Sequence, residues 1–503
     1  MRKHELRQKR RPKPPARVLR TAFFLLTLLI PIICAEGETM MNNVPVTLER
    51  SYKKAGENNP LYTQRFGADP GVMEYQGRLY VYMTDDIVEY DASGKVKENS
   101  YSQIRTINCI SSDDLVNWTD HGRIRVAGPG GVAKWAANSW APCAAHKSID
   151  GQEKFFLYFC NGGNGIGVLT ADSPTGPWRD ERGCLLITRA VKNCADVTWL
   201  FDPAVMVDED GTGYLAFGGG VPQGKQAAPG TARIVRLGED MISLAGDPVR
   251  LDVPWLFEDS GINRIGDKYF YTYCSNFQTA GNDLHLTDGA IQYMIADNPL
   301  GPYTYMGELF PNEGRFFGLY GNNHHSVACL NGQWFLFYHS RPVEKAMGIT
   351  GNYRSPQADR ILFGEDGLPR QVTGTMKGLE QLKPLNPYRT VSAATMSRQA
   401  GINVEGANGQ SWVHGKAGSW IQISGVDFAD KASSLTVTAM APTDCTLYAV
   451  LDDPENPVIS KIRIELPDGV KPRNFTAPIR AEGIHDLYLV TDGEINLYSW
   501  LIR

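Results

Sequence analysis

Five short apolar runs, each dense in aromatic residues, recur along the first three quarters of the chain, and each follows a polar turn. They begin 56 to 76 residues apart, and helical periodicity between them is poor. Apolar runs of this length that directly follow a turn of Gly, Asp or Asn are typical of buried strands. The runs are GRLYVYMTDD from Gly77, EKFFLYFCN from Glu153, GTGYLAFGG from Gly211, DKYFYTYCSN from Asp267 and GQWFLFYHS from Gly332.

Repetition of one strand-rich unit predicts an all-β protein built by radial repetition, a five-bladed β-propeller over residues 45–385. An array of β-sandwiches is the alternative, but the repeats continue for about 340 residues with no linker among them. The first boundary is the Pro-rich polar segment Lys383–Arg389. Residues 389–503 then contain short alternating strands with the size and rhythm of a β-sandwich, a jelly roll.

Composition and charge narrow the class of protein. With 51 Gly, 30 Pro and 10% aromatic residues, short strands and turns are favoured over long helices. The net charge of −5 divides into +8 on residues 1–20 (nine Lys/Arg, one Glu) and −13 on the remainder (41 Lys/Arg, 54 Asp/Glu). A chain that acidic lacks the electrostatic footprint of a nucleic-acid-binding protein.

The basic N-terminus precedes an apolar run of 14 residues, Ala22–Ala35. This run is too short and too interrupted by proline for a transmembrane helix, and it suits a secretory signal peptide over residues 1–35. We therefore expect a secreted, periplasmic or cell-surface protein. Two alternatives stay open: an uncleaved anchor, and lipidation of Cys34, which would attach the chain to a membrane.

Polar or aromatic side chains recur one strand before the apolar runs. Asp69, Glu258 and His324 each lie 11 residues before an aromatic residue of the following run, Asp202 lies 12 before, and Trp140 lies 15 before. Equivalent positions of all blades surround one axis in a propeller. We therefore expect three carboxylates, an imidazole and an indole at one end of the channel.

Three carboxylates around an uncharged pocket suit glycoside hydrolysis. One carboxylate deprotonates water, one carboxylic acid protonates the leaving oxygen, and the third keeps the pKa of the acid raised by like-charge repulsion. Trp140 would supply an apolar platform for a sugar. Motifs for competing chemistry, such as GxSxG, HExxH, GxGxxG and the Walker pattern, are missing from the sequence.

These residues resemble glycoside hydrolase family 43, and the resemblance covers residues 45–385. Its arabinoxylan arabinofuranohydrolase and β-xylosidase branch is the nearest, as ISSDDLVNWTDHG and GIGVLTADSPTGPW indicate. The segments that resemble the five blade openings are GADPGVMEYQGRLYVY, NSWAPCAAHK, WLFDPAVMVDEDGTGYLAFGGG, LFEDSGINRIGDKYFYTYC and GNNHHSVACLNGQWFLFYHSR.

The resemblance implies an inverting mechanism and a role for each candidate. Asp69 matches the general base, Glu258 the general acid, and Asp202 the carboxylate that tunes and orients the acid. Trp140 resembles an aromatic residue of the pocket wall, and Arg354, in NYRSP, resembles an arginine that reaches the bound sugar. His324 matches a histidine that faces an ion in the channel, often calcium, so we expect calcium there in a supporting role.

Residues 389–503 resemble a carbohydrate-binding module of family 6, with departures. Three positions where that module carries carboxylates for a structural calcium hold Ser392, Ala394 and Tyr498 instead. Calcium prefers oxygen ligands, so we expect no calcium in this module. The loop before Ile495 is short and carries no aromatic residue, which argues against sugar binding by the usual cleft, although Trp412 could stack on a sugar.

The sequence therefore predicts a secreted glycosidase that removes non-reducing-end pentosyl residues from arabinoxylan-type hemicellulose or its oligosaccharides. We favour an α-L-arabinofuranosidase. A β-xylosidase is the alternative, because both activities use the same three acids. A non-catalytic sugar-binding propeller would be expected to lack one of these acids, and all three are present.

Overall fold

The computed structural model describes residues 43–407, 410–429, 432–465 and 471–503. The predicted signal peptide, with Cys34, lies outside these residues. Residues 43–503 form one compact unit. Within the described ranges, no helix combines the length and apolar character that a membrane span needs.

Five antiparallel sheets follow one another along the chain and form the blades of a propeller. Two short helices belong to the last blade: α1 (Gly314–Phe317) precedes its first strand, and α2 (Pro342–Met347) lies between its second and third strands. The blade strands are β1 (Ala68–Tyr75), β2 (Arg78–Thr84), β3 (Thr106–Ser112) and β4 (Trp118–Arg125); β5 (Trp140–Ile149), β6 (Gln152–Cys160) and β7 (Ile166–Ala171); β8 (Ala204–Val207), β9 (Gly213–Phe217), β10 (Arg233–Arg236) and β11 (Val249–Arg250); β12 (Leu256–Ile265), β13 (Lys268–Ser275), β14 (Ile291–Ala296) and β15 (Thr304–Phe310); β16 (His325–Leu330), β17 (Gln333–Ser340) and β18 (Ser355–Ile361).

The first strands of the five sheets form a closed ring. β1 contacts β5, β5 contacts β8, β8 contacts β12, β12 contacts β16, and β16 contacts β1. The five aromatic runs lie on the second strands, β2, β6, β9, β13 and β17, and most of their side chains are buried between blades. The five-bladed propeller predicted from the sequence is confirmed, and the array of sandwiches is excluded.

The C-terminal region is a β-sandwich, also as predicted. One sheet has the order β22-β23-β30-β25-β28, with β19 paired to β30, and the other has the order β21-β24-β29-β26-β27. The strands are β19 (Val391–Ser392), β20 (Thr395–Met396), β21 (Arg398–Ala400), β22 (Asn403–Ala407), β23 (Gln410–Gly415), β24 (Trp420–Asp427), β25 (Ala432–Met440), β26 (Cys445–Leu451), β27 (Val458–Ile464), β28 (Arg473–Ala481), β29 (Ile484–Thr491) and β30 (Ile495–Ile502).

The sandwich is joined to the first blade. β20 pairs with β4, so Thr395 and Met396 extend the sheet of that blade. The Pro-rich segment Lys383–Arg389 lies between the last propeller strand and the first sandwich strand. Of the three replaced positions, Ser392 lies in β19, Ala394 is fully buried and Tyr498 stacks on Trp412. The expected absence of calcium from this sandwich stays a prediction.

Candidate active site

Two connected cavities open at the end of the propeller where the first strands begin. The outer cavity measures about 690 Å³ and the inner one about 120 Å³. All six site residues predicted from the sequence line the inner cavity: Asp69, Trp140, Asp202, Glu258, His324 and Arg354. The cavities share Trp140, Glu258 and Arg354, so together they form one funnel that narrows toward the carboxylates.

In the fourth blade, the residue that is equivalent to Asp69 in the structure lies one position after the residue found by counting along the sequence. Asp69, Ala141, Asp202 and Asp259 all have positive φ, between 38° and 68°. Strand register shifts at three of these positions, in β1, β5 and β12. By backbone conformation Asp259, and not Glu258, is the counterpart of Asp69. The β1–β2 and β12–β13 hairpins pair with the same turn and bulge lengths, so the counterpart of Tyr80 is Phe270, whereas the count along the sequence ended at Tyr269.

Positive φ is unfavourable for residues other than glycine, at about 1–3 kcal/mol each, and it clusters where a site holds side chains in place. The bulge turns the backbone of the three blades that contain it, at β1, β5 and β12, as the chain enters the channel. In β12 it places two neighbouring carboxyl groups on the site, because Glu258 lies at the funnel while Asp259 is fully buried behind it.

Asp69 is held as a carboxylate. Arg354 Nη1 donates to its Oδ1 at 2.8 Å, and Thr84 Oγ1 donates to its Oδ2 at 2.7 Å. The Asp69 N–H donates to Nδ1 of His339 at 3.1 Å, so this ring nitrogen carries no proton. Burial opposes ionisation of Asp69, but the Arg354 charge and the neighbouring His324 outweigh it and hold the pKa well below its usual range.

Arg354 is fixed by a second carboxylate. Its Nε and Nη2 donate to the two oxygens of Asp86 at 2.9 and 2.8 Å, and its guanidinium lies over the Tyr101 ring at 5.1 Å. Both charged partners are buried. Arg354 therefore lines the funnel as predicted, and much of its hydrogen-bonding capacity is used to fix Asp69. Asp86 and Thr84 were not found from the sequence.

The side-chain carboxyl group of Glu258 is kept protonated by its surroundings. Its Oε1 is buried and has no hydrogen-bond partner among the described residues. Burial, followed by the charges of Asp69 and Asp259, raises its pKa to about 8, and Arg354 opposes the shift. At neutral pH this carboxyl carries a proton that it can give to an oxygen in the funnel.

Asp202 is a third buried carboxyl that lines the inner cavity beside the acid. The role that the resemblance implies for it, tuning and orienting Glu258, stays a prediction. The pKa of Asp202 is itself raised well above its usual range by burial and by Glu258. Its Oδ2 accepts the backbone N–H of Asp259 at 3.0 Å, which fixes the peptide directly after the acid.

Two histidines surround Asp259, which the count along the sequence missed. His325 Nδ1 bonds Asp259 Oδ2, and its Nε2 lies 2.6 Å from Thr272 Oγ1. His324 Nε2 lies 3.1 Å from Asp259 Oδ1, although not in hydrogen-bond geometry. The DSGI sequence after Glu258 resembles DPGV after Gly67–Ala68, and this likeness is the signal that could have identified Asp259.

Carboxylates surround His324, where the sequence predicts a metal site. His324 Nδ1 lies 3.7 Å from Asp69 and 3.9 Å from Asp202, and burial lowers the pKa of the imidazole. No group of three His, Cys, Asp or Glu side chains in the described parts of the chain is arranged to hold a metal ion. A cluster of three or more protein ligands is therefore not formed by these residues, and the ion expected beside His324 stays a prediction.

Aromatic side chains form the wall of the outer cavity. Trp199 makes edge contacts with Phe201 and Phe257, each with ring centroids 5.3 Å apart. Trp140 donates its indole N–H to the Tyr101 carbonyl at 3.0 Å, which holds the ring at the rim shared by both cavities. Apolar walls with a few fixed polar groups are typical of small-ligand sites.

One ionised carboxylate, one protonated carboxyl and aromatic walls in a single funnel define a glycosidase site. The comparisons agree with this class. The family described as glycosyl hydrolases family 43 matches residues 57–369. This chain belongs to glycoside hydrolase family 43, and it is a glycosidase.

Two relatives share nearly the whole chain. An arabinoxylan arabinofuranohydrolase of Paenibacillus polymyxa is 41% identical over 96% of this chain and 79% of its own length. One of Bacillus subtilis (strain 168) is 39% identical over 93% of this chain and 95% of its own length. The crystal structure of a Bacillus subtilis arabinoxylan arabinofuranohydrolase in complex with cellotetraose has a TM-score of 0.88 at 38% identity and covers 90% of this chain and 99% of that chain.

Proposed function

We propose that the protein removes α-L-arabinofuranosyl residues from arabinoxylan or its oligosaccharides by single-displacement hydrolysis. The observation that carries the proposal is the opposite protonation of two carboxyl groups in one narrow funnel, Asp69 ionised and Glu258 protonated. The substrate is supported by the two relatives named as arabinoxylan arabinofuranohydrolases, which match this chain over more than nine tenths of its length.

In the proposed reaction, water attacks the anomeric carbon while the bond from this carbon to the leaving oxygen breaks. Asp69 takes a proton from the water, and Glu258 gives its proton to the leaving oxygen. Arg354 and Thr84 hold Asp69 ionised and oriented through their two short hydrogen bonds. Asp202 orients the acid through the backbone of Asp259. The products are a free pentose of inverted configuration and the shortened glycan.

The choice between arabinofuranosidase and β-xylosidase is tested by direct assay. Purified protein is given p-nitrophenyl α-L-arabinofuranoside and p-nitrophenyl β-D-xyloside, and then arabinoxylan with detection of the released pentose. We expect arabinose release from arabinoxylan, and faster cleavage of the arabinofuranoside. Faster cleavage of the xyloside, with xylose as the only sugar released from the polymer, would overturn the proposal in favour of a β-xylosidase.

The channel calcium predicted beside His324 stays a proposal, in the form of an ion held through water. Water-mediated binding to a single imidazole predicts modest affinity and a supporting role. We therefore expect chelation, with metal removal verified by elemental analysis, to lower activity partly and calcium addition to restore it. Unchanged activity and pH profile after verified removal, together with wild-type behaviour of His324→Gln, would exclude the ion.

Secretion through residues 1–35 also stays a proposal, with lipidation at Cys34 as the alternative that would place the protein at a membrane surface. It is supported by the basic segment and the apolar run Ala22–Ala35. The likeness of the sandwich to a carbohydrate-binding module of family 6 likewise remains a prediction from the sequence.

A further inference from the structure

A separate cleft of about 480 Å³ lies where the first blade meets the sandwich. On the propeller side it is lined from β4, which is the outermost strand of its own blade, far along the sheet from β1 and Asp69. On the sandwich side it is lined from β23, β25 and β30 of one sheet. The described residues that line this cleft include none of those that line the two catalytic cavities.

The chemistry of this cleft is uncharged and rich in hydroxyl groups. Ten described residues line it, and seven of them carry a hydroxyl. None is Asp, Glu, Lys or Arg, and burial lowers the pKa of His121 to about 4, so that its imidazole is neutral at pH 7. A phosphate or an acidic peptide would require fixed cations; none of the ten residues is one, and Arg78, which donates to Thr119 Oγ1, is already paired with Asp113. A lining of hydroxyl groups instead suits a neutral polyhydroxylated ligand.

An aromatic ring flanks the hydroxyl groups. Tyr498 lines the cleft and stacks on Trp412, with ring centroids 5.6 Å apart and planes 30° from parallel. The stack restricts the Tyr498 ring, so little entropy is lost when a ligand packs against it. Beside it, Ser499 Oγ donates to Thr438 Oγ1 at 3.0 Å, and Thr438 Oγ1 donates to Asn474 Oδ1 at 2.9 Å. Tyr498 and this chain of hydroxyls form one continuous surface.

The two walls of the cleft are bonded together. The Asp120 N–H donates to the Ala394 carbonyl at 2.9 Å, and Ser411 Oγ donates to the Asp120 carbonyl at 2.7 Å. Thr119 and Thr395 join their hydroxyls at 2.8 Å beside the β4–β20 pairing. The cleft is therefore formed before a ligand arrives, which favours binding by a surface whose individual contacts are weak.

We propose that this junction cleft binds a stretch of neutral polysaccharide without cleaving it. For the identity of the polymer the inference rests on the proposed function, so the expected ligand is the xylan backbone of arabinoxylan. The ten described lining residues carry no carboxyl group, so the proposed role of the cleft is binding and not hydrolysis. Binding here would keep the enzyme on its substrate between successive cleavages and raise the local concentration of polymer at the funnel.

The test measures polymer binding in a full-length background that does not hydrolyse the polymer. Glu258→Gln protein is run through native gels that contain soluble arabinoxylan, and retardation gives the affinity. Adding Tyr498→Ala is expected to weaken binding about tenfold, because the ring that packs on the sugar is removed. Thr390→Arg, at an exposed position of the lining, should weaken it similarly by obstructing the cleft. Tyr90→Ala, which removes a tyrosine 60% exposed on the first blade, is the matched control and should leave retardation unchanged.

The outcomes separate this inference from the proposed function. Melting temperatures establish whether each variant is folded. If Tyr498→Ala is not folded, the result for Thr390→Arg decides the test. If arabinoxylan is hydrolysed by the wild type but both cleft variants are retarded like their parent, the inference is wrong and the proposed function stands. If arabinoxylan is not hydrolysed, the same gels are run with neutral mannan, β-glucan and galactan. If any of these polymers retards the protein and the retardation depends on Tyr498, the cleft is supported as a neutral-polysaccharide site. If no polymer shows retardation that depends on Tyr498, the inference is wrong.

Discussion

Glu258→Gln is expected to lower kcat on arabinoxylan oligosaccharides by about 10²–10⁴-fold, the usual contribution of a positioned general acid. Glutamine keeps the shape of the side chain but cannot give up a proton to the leaving oxygen. Aryl arabinofuranosides with strongly acidic leaving phenols need little protonation and should recover much of the lost rate. The measurement is kcat for a series of leaving groups in both proteins.

The pH profile is the second readout of this prediction. The acid must be protonated to act, and its pKa is raised to about 8, so wild-type activity should fall as the pH rises through that value. This alkaline limb should disappear in Glu258→Gln. Glu313→Gln is the matched control, because Glu313 is also a buried carboxyl with a raised pKa but lines only the outer cavity. Equal losses on good and poor leaving groups in Glu258→Gln would refute the acid assignment.

Asp69→Asn is expected to reduce turnover by a similar or larger factor, about 10³-fold or more, without rescue by better leaving groups. The attacking water then has no base, and protonation of the leaving oxygen does not replace it. Arg354 keeps its two bonds to Asp86, so the site should stay folded, which a melting curve can verify. Recovery of Asp69→Asn on activated aryl glycosides would show that Asp69 is not the base.

Thr84→Val is the graded companion to this variant. It removes one donor to the Asp69 carboxylate, which should raise the pKa of Asp69. Since the base must be ionised, activity should then decline at a higher pH on the acidic side than in the wild type, while Asp69→Asn is inactive at every pH. An unchanged acidic limb in Thr84→Val would mean that this hydrogen bond does not control the ionisation of Asp69.

The sequence by itself determined the class of the fold and six of the residues that line the site. Five aromatic runs at a regular spacing sufficed for the propeller, because the alternation of a buried strand is a local property of the chain. Asp69, Asp202 and Glu258 were found because each comes shortly before such a run. Ring closure then brings them together whatever the details of each loop.

Tertiary structure alone decided the protonation of the carboxyl groups and their exact neighbours. The charge that holds Asp69 ionised is supplied by Arg354, which is 285 residues away along the chain, and Arg354 is in turn fixed by Asp86. Asp259 was missed because the count along the sequence ended at Tyr269, whereas strand pairing makes Phe270 the counterpart of Tyr80. Burial and charges from other blades set each pKa, and both come into existence only when the ring of five blades closes.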